Sequence, residues 1–198
     1  QPPAGLRPDI AEAKRLLTAA GFPDGRGFPV LSFLYPSKFP SDRGIAVELQ
    51  SMWQRHLGIT VALTSEEYKT YLDSQKKVDY DVCRSSWVGD YNDPNTFLDM
   101  FLTTSGNNRT GWASAAYDAL ISQAAAEADA TKRYAILKQA ETQLIETECV
   151  VAPVYHYVGV QFYQPEFLGG VEANLIDEHP LRCMFWKQPP PRLGGTKP

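Results

Sequence analysis

A chain of 198 residues is one domain or little more, and 43% apolar with 12% aromatic residues is enough for a packed core, which excludes disordered or collagen-like chains. The 19 Lys+Arg against 23 Asp+Glu give a net charge of -4. No basic run tracks a phosphate backbone, so nucleic acid is not an expected partner, and the longest nearly apolar stretch, 150–160, falls short of the roughly 20 residues that span a bilayer.

In chain order, Asp9 is placed to cap a helix with Glu12 closing a capping box, and Ile10, Ala13, Leu16, Leu17 and Ala20 recur at the spacing that buries one stripe. Gly21 and Pro23 stop it, and the glycine-rich 21–27 segment reads as a turn because it follows a helix and lacks a phosphate-loop ending. The run 30–35 reads as a strand. A helix over about 41–57 carries Ile45, Leu49, Met52 and Trp53 inward to a stop at Gly58, and 59–63 is a second strand, so the unit is a parallel crossover.

Thr64 to Glu67 carries a capping-box pattern for a third helix reaching about Lys76, and 79–85 reads as a third strand. A loop over 86–94 and a short helix through Phe97 and Leu98 follow. Residues 113–128 and 130–147 read as two helices, with Tyr134, Leu137, Ala140, Gln143 and Leu144 on one inward face. Strands are expected at 150–158, 160–163 and 183–186, and a flexible Pro/Gly tail at 189–198.

The loop holds Trp87, Val88, Gly89, Asp90, Tyr91, Asn92, Asp93 and Pro94 at the C-terminal end of a strand, where open α/β sheets bind ligands. An aromatic ring beside a carboxylate suits an ammonium group, through a charge-assisted hydrogen bond and cation–π attraction. The alternative is an Asx-turn with a packed Trp, and spacing leaves both open. Pro94 and Asn95 stand where an EF-hand loop needs a ligand and a glycine, so calcium by that motif is excluded. His56, His156 and His179 are scattered, no nucleophile signature appears, and no cofactor or metal is expected. On a strand Tyr155 and Tyr157 would share one face and His156 the other. Cys83, Cys149 and Cys183 lack CxxC spacing and are odd in number, so at least one is unpaired or pairs outside the chain.

The segment 79–94, "DYDVCRSSWVGDYNDP", resembles a stretch of the oligopeptide- and dipeptide-binding proteins of ABC importers, the family 5 solute-binding proteins. The 12–29 run "EAKRLLTAAGFPDGRGFP", the strand "LGITVAL", the helix "EEYKTYLD", the helices within 126–146 and the strand "VAPVYHYV" are similar to that family in the same order, over roughly 8–187.

The resemblance implies an α/β fold over 1–188, one lobe of a type II periplasmic-binding-protein fold with a mixed sheet flanked by helices. Residues 150–187 would be strands returning towards the hinge. Members are two-lobed and more than twice this length, so the N-terminal lobe is missing and the chain, which begins at Gln1, is read as a piece of a longer protein or one that needs its other half. The resemblance assigns Asp90 to the ligand α-ammonium, Trp87 to the aromatic beside it, Arg84 to a ligand carboxylate or cleft acid and Tyr157 to a cleft tyrosine. Val88 stands where some members carry cysteine and Ser41 where one branch has histidine, which leaves peptide length open.

The implied function is non-enzymatic: peptide binding in the periplasm or another extracytoplasmic space, membrane-anchored or free, with the permease subunits of an ABC transporter as partners. Self-association through open strand edges at 150–163 and 183–186 is the further expectation. A stand-alone interaction domain is the second reading and a hydrolase the third.

Overall fold

The computed structural model describes residues 8–174 and 177–188, and the tail expected over 189–198 lies outside them. β1 (Leu31–Pro36) is the middle strand of a parallel sheet of order β2-β1-β3, with β2 at Val61–Glu66 and β3 at Val82–Cys83. A strand covered on both faces reads as a continuous apolar run, and Phe33, Leu34 and Tyr35 are all buried. Phe33 and Tyr35 share a core with Ala46 and Val61, on which Leu49 and Trp53 of α2 (Pro40–Leu57) pack. Ala46 faces inward with Leu49 and Trp53, whereas Met52, expected there, is exposed. α3 (Tyr68–Lys77) packs on the same strands and buries Tyr71.

Helix ends follow local chemistry. Gly58 ends α2 in the left-handed region at φ 71°. A Cβ there would lie 2.3 Å from the Asp24 carbonyl oxygen, and one on Gly25 2.5 Å from that of Leu57, so only glycine lets this turn seat on the end of α2. In α1 (Ile10–Ala19) the Asp9 side chain accepts from the Glu12 amide at 2.9 Å, but Glu12 pairs with Arg15 at 2.6 Å instead of closing the box. None of its residues is buried, contrary to the expected stripe; α1 packs mainly on the 23–25 turn and α2.

Two boundaries move for reasons of pairing. Thr64 to Glu66 stay in β2 because β1 pairs with it to the end, Pro36 opposite Glu66; Glu67 caps α3 instead, accepting from the Lys69 amide at 2.8 Å. The strand expected over 79–85 shrinks to two residues, since Asp81 bonds the Ser32 amide at 2.7 Å through its side chain.

A second core lies between helices. α5 (Ala115–Ala126) and α6 (Ala130–Thr142) form an antiparallel-style hairpin capped by Ser114 and Asp129, and α6 runs on as a π-helical turn, Gln143–Thr147. Tyr117, Ala124 and Ala140 are wholly buried there with Ile121, Leu137 and Leu144, joined by Leu98 of α4 (Asn95–Leu98). Tyr134, expected inward, is exposed.

Residues 150–163 form no strand, and from 152 onward they are exposed. Their β-branched and aromatic composition suits a sheet, but among the described residues no strand pairs with them. The expected strand at 183–186 survives as β5 (Phe185–Trp186), antiparallel to β4 (Leu168–Gly169).

Candidate functional site

The 84–94 loop leaves the C-terminal end of β3 and bridges the two cores. At its start the Arg84 amide donates to the Leu34 carbonyl at 2.9 Å and the Arg84 carbonyl accepts from the Tyr71 hydroxyl at 2.6 Å. At its far end Asp93 takes a two-pronged pair from Arg133 of α6, at 2.7 and 2.8 Å, and accepts from the Asn95 amide at 2.9 Å. Asp99 accepts from the Tyr91 hydroxyl and from Asn95 Nδ2, both at 3.0 Å. The loop is therefore fixed at both ends.

Between those ends lie the residues singled out from sequence. Trp87 is half-buried, and its indole Nε1 is a buried donor with no hydrogen-bond partner. Val88 is exposed, Gly89 buried and Asp90 exposed. The Asp90 amide donates to Thr96 Oγ1 at 3.0 Å, and Thr96 is itself buried, so the backbone is pinned while the carboxylate has no partner among the described residues. Of the loop's two carboxylates, Asp93 is engaged and Asp90 has no partner among the described residues; Asp99, just beyond α4, is engaged as well.

Arg84 and Tyr157, 73 residues apart, meet: Arg84 Nη2 donates to the Tyr157 hydroxyl at 2.5 Å. The Tyr155 and Tyr157 rings touch edge to face with centroids 4.8 Å apart, as residues sharing one face do. No hydrogen bond or ion pair joins this group to Asp90 among the described residues.

Sequence reasoning missed Asp42. It lies in the first turn of α2, its side chain is 1% exposed, and its Oδ1 is 2.8 Å from Arg84 Nη2, whose side chain is 11% exposed. An acid in the first turn of a helix is a readable signal; its burial and its arginine are not. Burial disfavours the charged guanidinium, but the Asp42 carboxylate and the tyrosine hydroxyls outweigh it and hold Arg84 above its ordinary pKa.

The Arg133 hydrogen bonds hold the Asp93 carboxyl below its ordinary value of 3.8, against a smaller opposing effect of burial. A depressed carboxylate stabilises the fold above the unfolded pKa and loses that contribution as pH falls through the folded one. Asp93→Asn is therefore expected to cost about 1 to 2 kcal/mol at pH 7, modest because the pair is partly solvated. The gap between variant and parent in urea melts should close at pH values below the lowered pKa.

Cys83 Sγ accepts from Gln75 Nε2 at 3.2 Å, and burial pushes its thiol up. All three cysteines are free thiols, Cys149 and Cys183 exposed. Among the described residues no group of three or more His, Cys, Asp or Glu could hold a metal ion, and no helix is long and apolar enough to cross a membrane.

With fold and loop in place, comparison with known proteins is decisive at the family level. Residues 1–109, more than half the chain, match the bacterial extracellular solute-binding proteins, family 5 middle region; the chain belongs to this family. It is 38% identical over 175 residues to the periplasmic murein peptide-binding protein MppA of Escherichia coli K12, covering 88% of this chain and 32% of that protein. It is 36% identical over 161 residues to the probable deoxycholate-binding periplasmic protein YgiS of the same organism, covering 81% and 29%.

The unliganded open form of MppA, a periplasmic murein tripeptide-binding protein, superposes with a TM-score of 0.78 at 34% identity, covering 92% of this chain and 37% of that one. The chain thus spans about a third of the length of the curated relatives it matches. The α/β lobe expected from the sequence is the one these proteins share. Family 5 proteins bind solutes and are not enzymes, which sets the hydrolase reading aside.

Proposed function

We propose that this chain is one lobe of an extracytoplasmic peptide-binding protein that delivers to the permease subunits of an ABC importer. Its binding wall is the 84–94 loop, completed by the lobe that the missing two-thirds of the relatives' length would supply. In this reading Asp90 receives the ligand α-ammonium, Trp87 and Val88 supply apolar cover, and Tyr157 and Arg84 form the neighbouring part of the wall. The observation that carries it is the Asp90 carboxylate, without a partner among the described residues, on a pinned backbone, while the loop's other acid, Asp93, and the neighbouring Asp99 are engaged. Three residues before Asp90, the Trp87 indole Nε1 is a buried donor with no hydrogen-bond partner.

The test uses the protein as its gene encodes it. Asp90→Asn keeps the shape and removes the charge; an ionic hydrogen bond is worth about 1.5 to 3 kcal/mol, so affinity for free-amine peptides should fall about ten- to hundredfold by calorimetry. An N-acetylated peptide should bind the parent poorly and lose little more on mutation, because both changes remove the same interaction. Unchanged affinity in Asp90→Asn would return Asp90 to a turn residue. The deoxycholate-binding relative gives a second reading, in which the ligand has no ammonium; deoxycholate binding insensitive to Asp90→Asn would favour it.

A further inference from the structure

A peptide has two charged ends, and the group at this end of the sheet best shaped to receive a carboxylate is the planar fork of an arginine. One nitrogen of that fork is already engaged. Arg84 Nη2 lies 2.8 Å from Asp42 Oδ1 and 2.5 Å from the Tyr157 hydroxyl, and its side chain is nearly covered.

We propose that Asp42 stands in for a ligand carboxylate at Arg84, so that the site reads the ammonium end of a peptide and is indifferent to whether the other end is charged. This rests on the peptide-binding reading above. Asp42 cannot turn away to make room: its side chain is 1% exposed and sits in the first helical turn after Pro40, where the helix N-terminus also favours a negative charge. A second carboxylate drawn to Arg84 would meet Asp42 as a like charge in a site of reduced dielectric. Asp42 is a specificity residue acting through Arg84, and the pair it forms carries no net charge for a ligand to read.

The experiment measures, in the protein as its gene encodes it, the affinity of alanine tri-, tetra- and pentapeptides, each as the free acid and as the C-terminal amide. The unmodified protein should bind acid and amide within threefold at every length. Asp42→Asn, which frees the guanidinium, should gain at least a tenfold preference for the acid at the length that reaches Arg84. Asp42→Glu, which keeps a carboxylate, should stay indifferent and guards against misfolding of the first variant; thermal melts report folding of both.

A tenfold or greater preference for the acid in the unmodified protein overturns the inference. So does a folded Asp42→Asn that gains none. Peptide binding accompanied by an acid preference strikes this inference alone, whereas no binding by any member of the series overturns both it and the peptide reading.

Discussion

Tyr117→Ala is expected to lower stability by about 3 to 5 kcal/mol, the range for removing an aromatic ring from a closed core. Tyr117 is wholly buried, packs edge to face on Trp112 at 5.1 Å, and donates its hydroxyl to the Leu98 carbonyl at 2.8 Å. Two wholly buried members of the same core, Ala124 and Ala140, are too small to fill the space. Tyr117→Phe separates the two contributions. It keeps the ring and loses the hydrogen bond, leaving a carbonyl to be satisfied elsewhere, and should cost about 1 to 2 kcal/mol. Urea unfolding of the three proteins checks the order; equal losses for Phe and Ala would mean that the hydroxyl, not the ring, holds α4 to the hairpin.

Arg84→Met is expected to cost about 2 to 4 kcal/mol, because it leaves the Asp42 carboxylate buried with no counter-charge. The loss sits slightly below that of a fully dry pair, since the Arg84 side chain keeps 11% of its exposure. The mate of this variant is more informative. In Arg84→Met combined with Asp42→Leu, both charges are gone and two apolar side chains of similar volume remain, so stability should return to within about 1 kcal/mol of the parent. The interaction energy in that double-mutant cycle measures the pair itself. A double variant as unstable as Arg84→Met would show that the arginine contributes through packing and Tyr157 instead of through charge.

These two sites show which parts of the molecule were legible beforehand. Signals confined to a few residues were read correctly: the Asp9 cap, the Gly58 stop and the short helix through Leu98 all occur. So was the crossover from β1 through α2 to β2, whose periodicity is unambiguous. Pairs that depend on distant chain were not legible. Asp42 with Arg84 and Asp93 with Arg133 each join residues some forty positions apart, and nothing local distinguishes them from solvated surface charges.

The stretch 150–163 failed in the opposite direction. Its composition records compatibility with a sheet, but a strand exists only where a neighbour takes its amides and carbonyls. What remained visible there was the two-residue periodicity, and Tyr155 and Tyr157 do come together. Likewise the loop was legible from local sequence, while the commitment of Thr96 to the Asp90 amide, of Asp93 to Arg133 and of Asp99 to Tyr91 and Asn95 was not.

The bridging loop makes the distance between the sheet and the helical hairpin a quantity that a molecule bound along it, as proposed above, would sense. Arg84 is tied to β1 through the Leu34 carbonyl, and Asp90 to α4 and α6 through Thr96 and the Asp93–Arg133 clamp. A molecule that touched both ends of the loop would therefore act as a tie-rod between the two cores, which Arg109 also links through Gln75 and Tyr80. Occupancy would be felt as a stiffening of the whole lobe, well beyond the few side chains in contact.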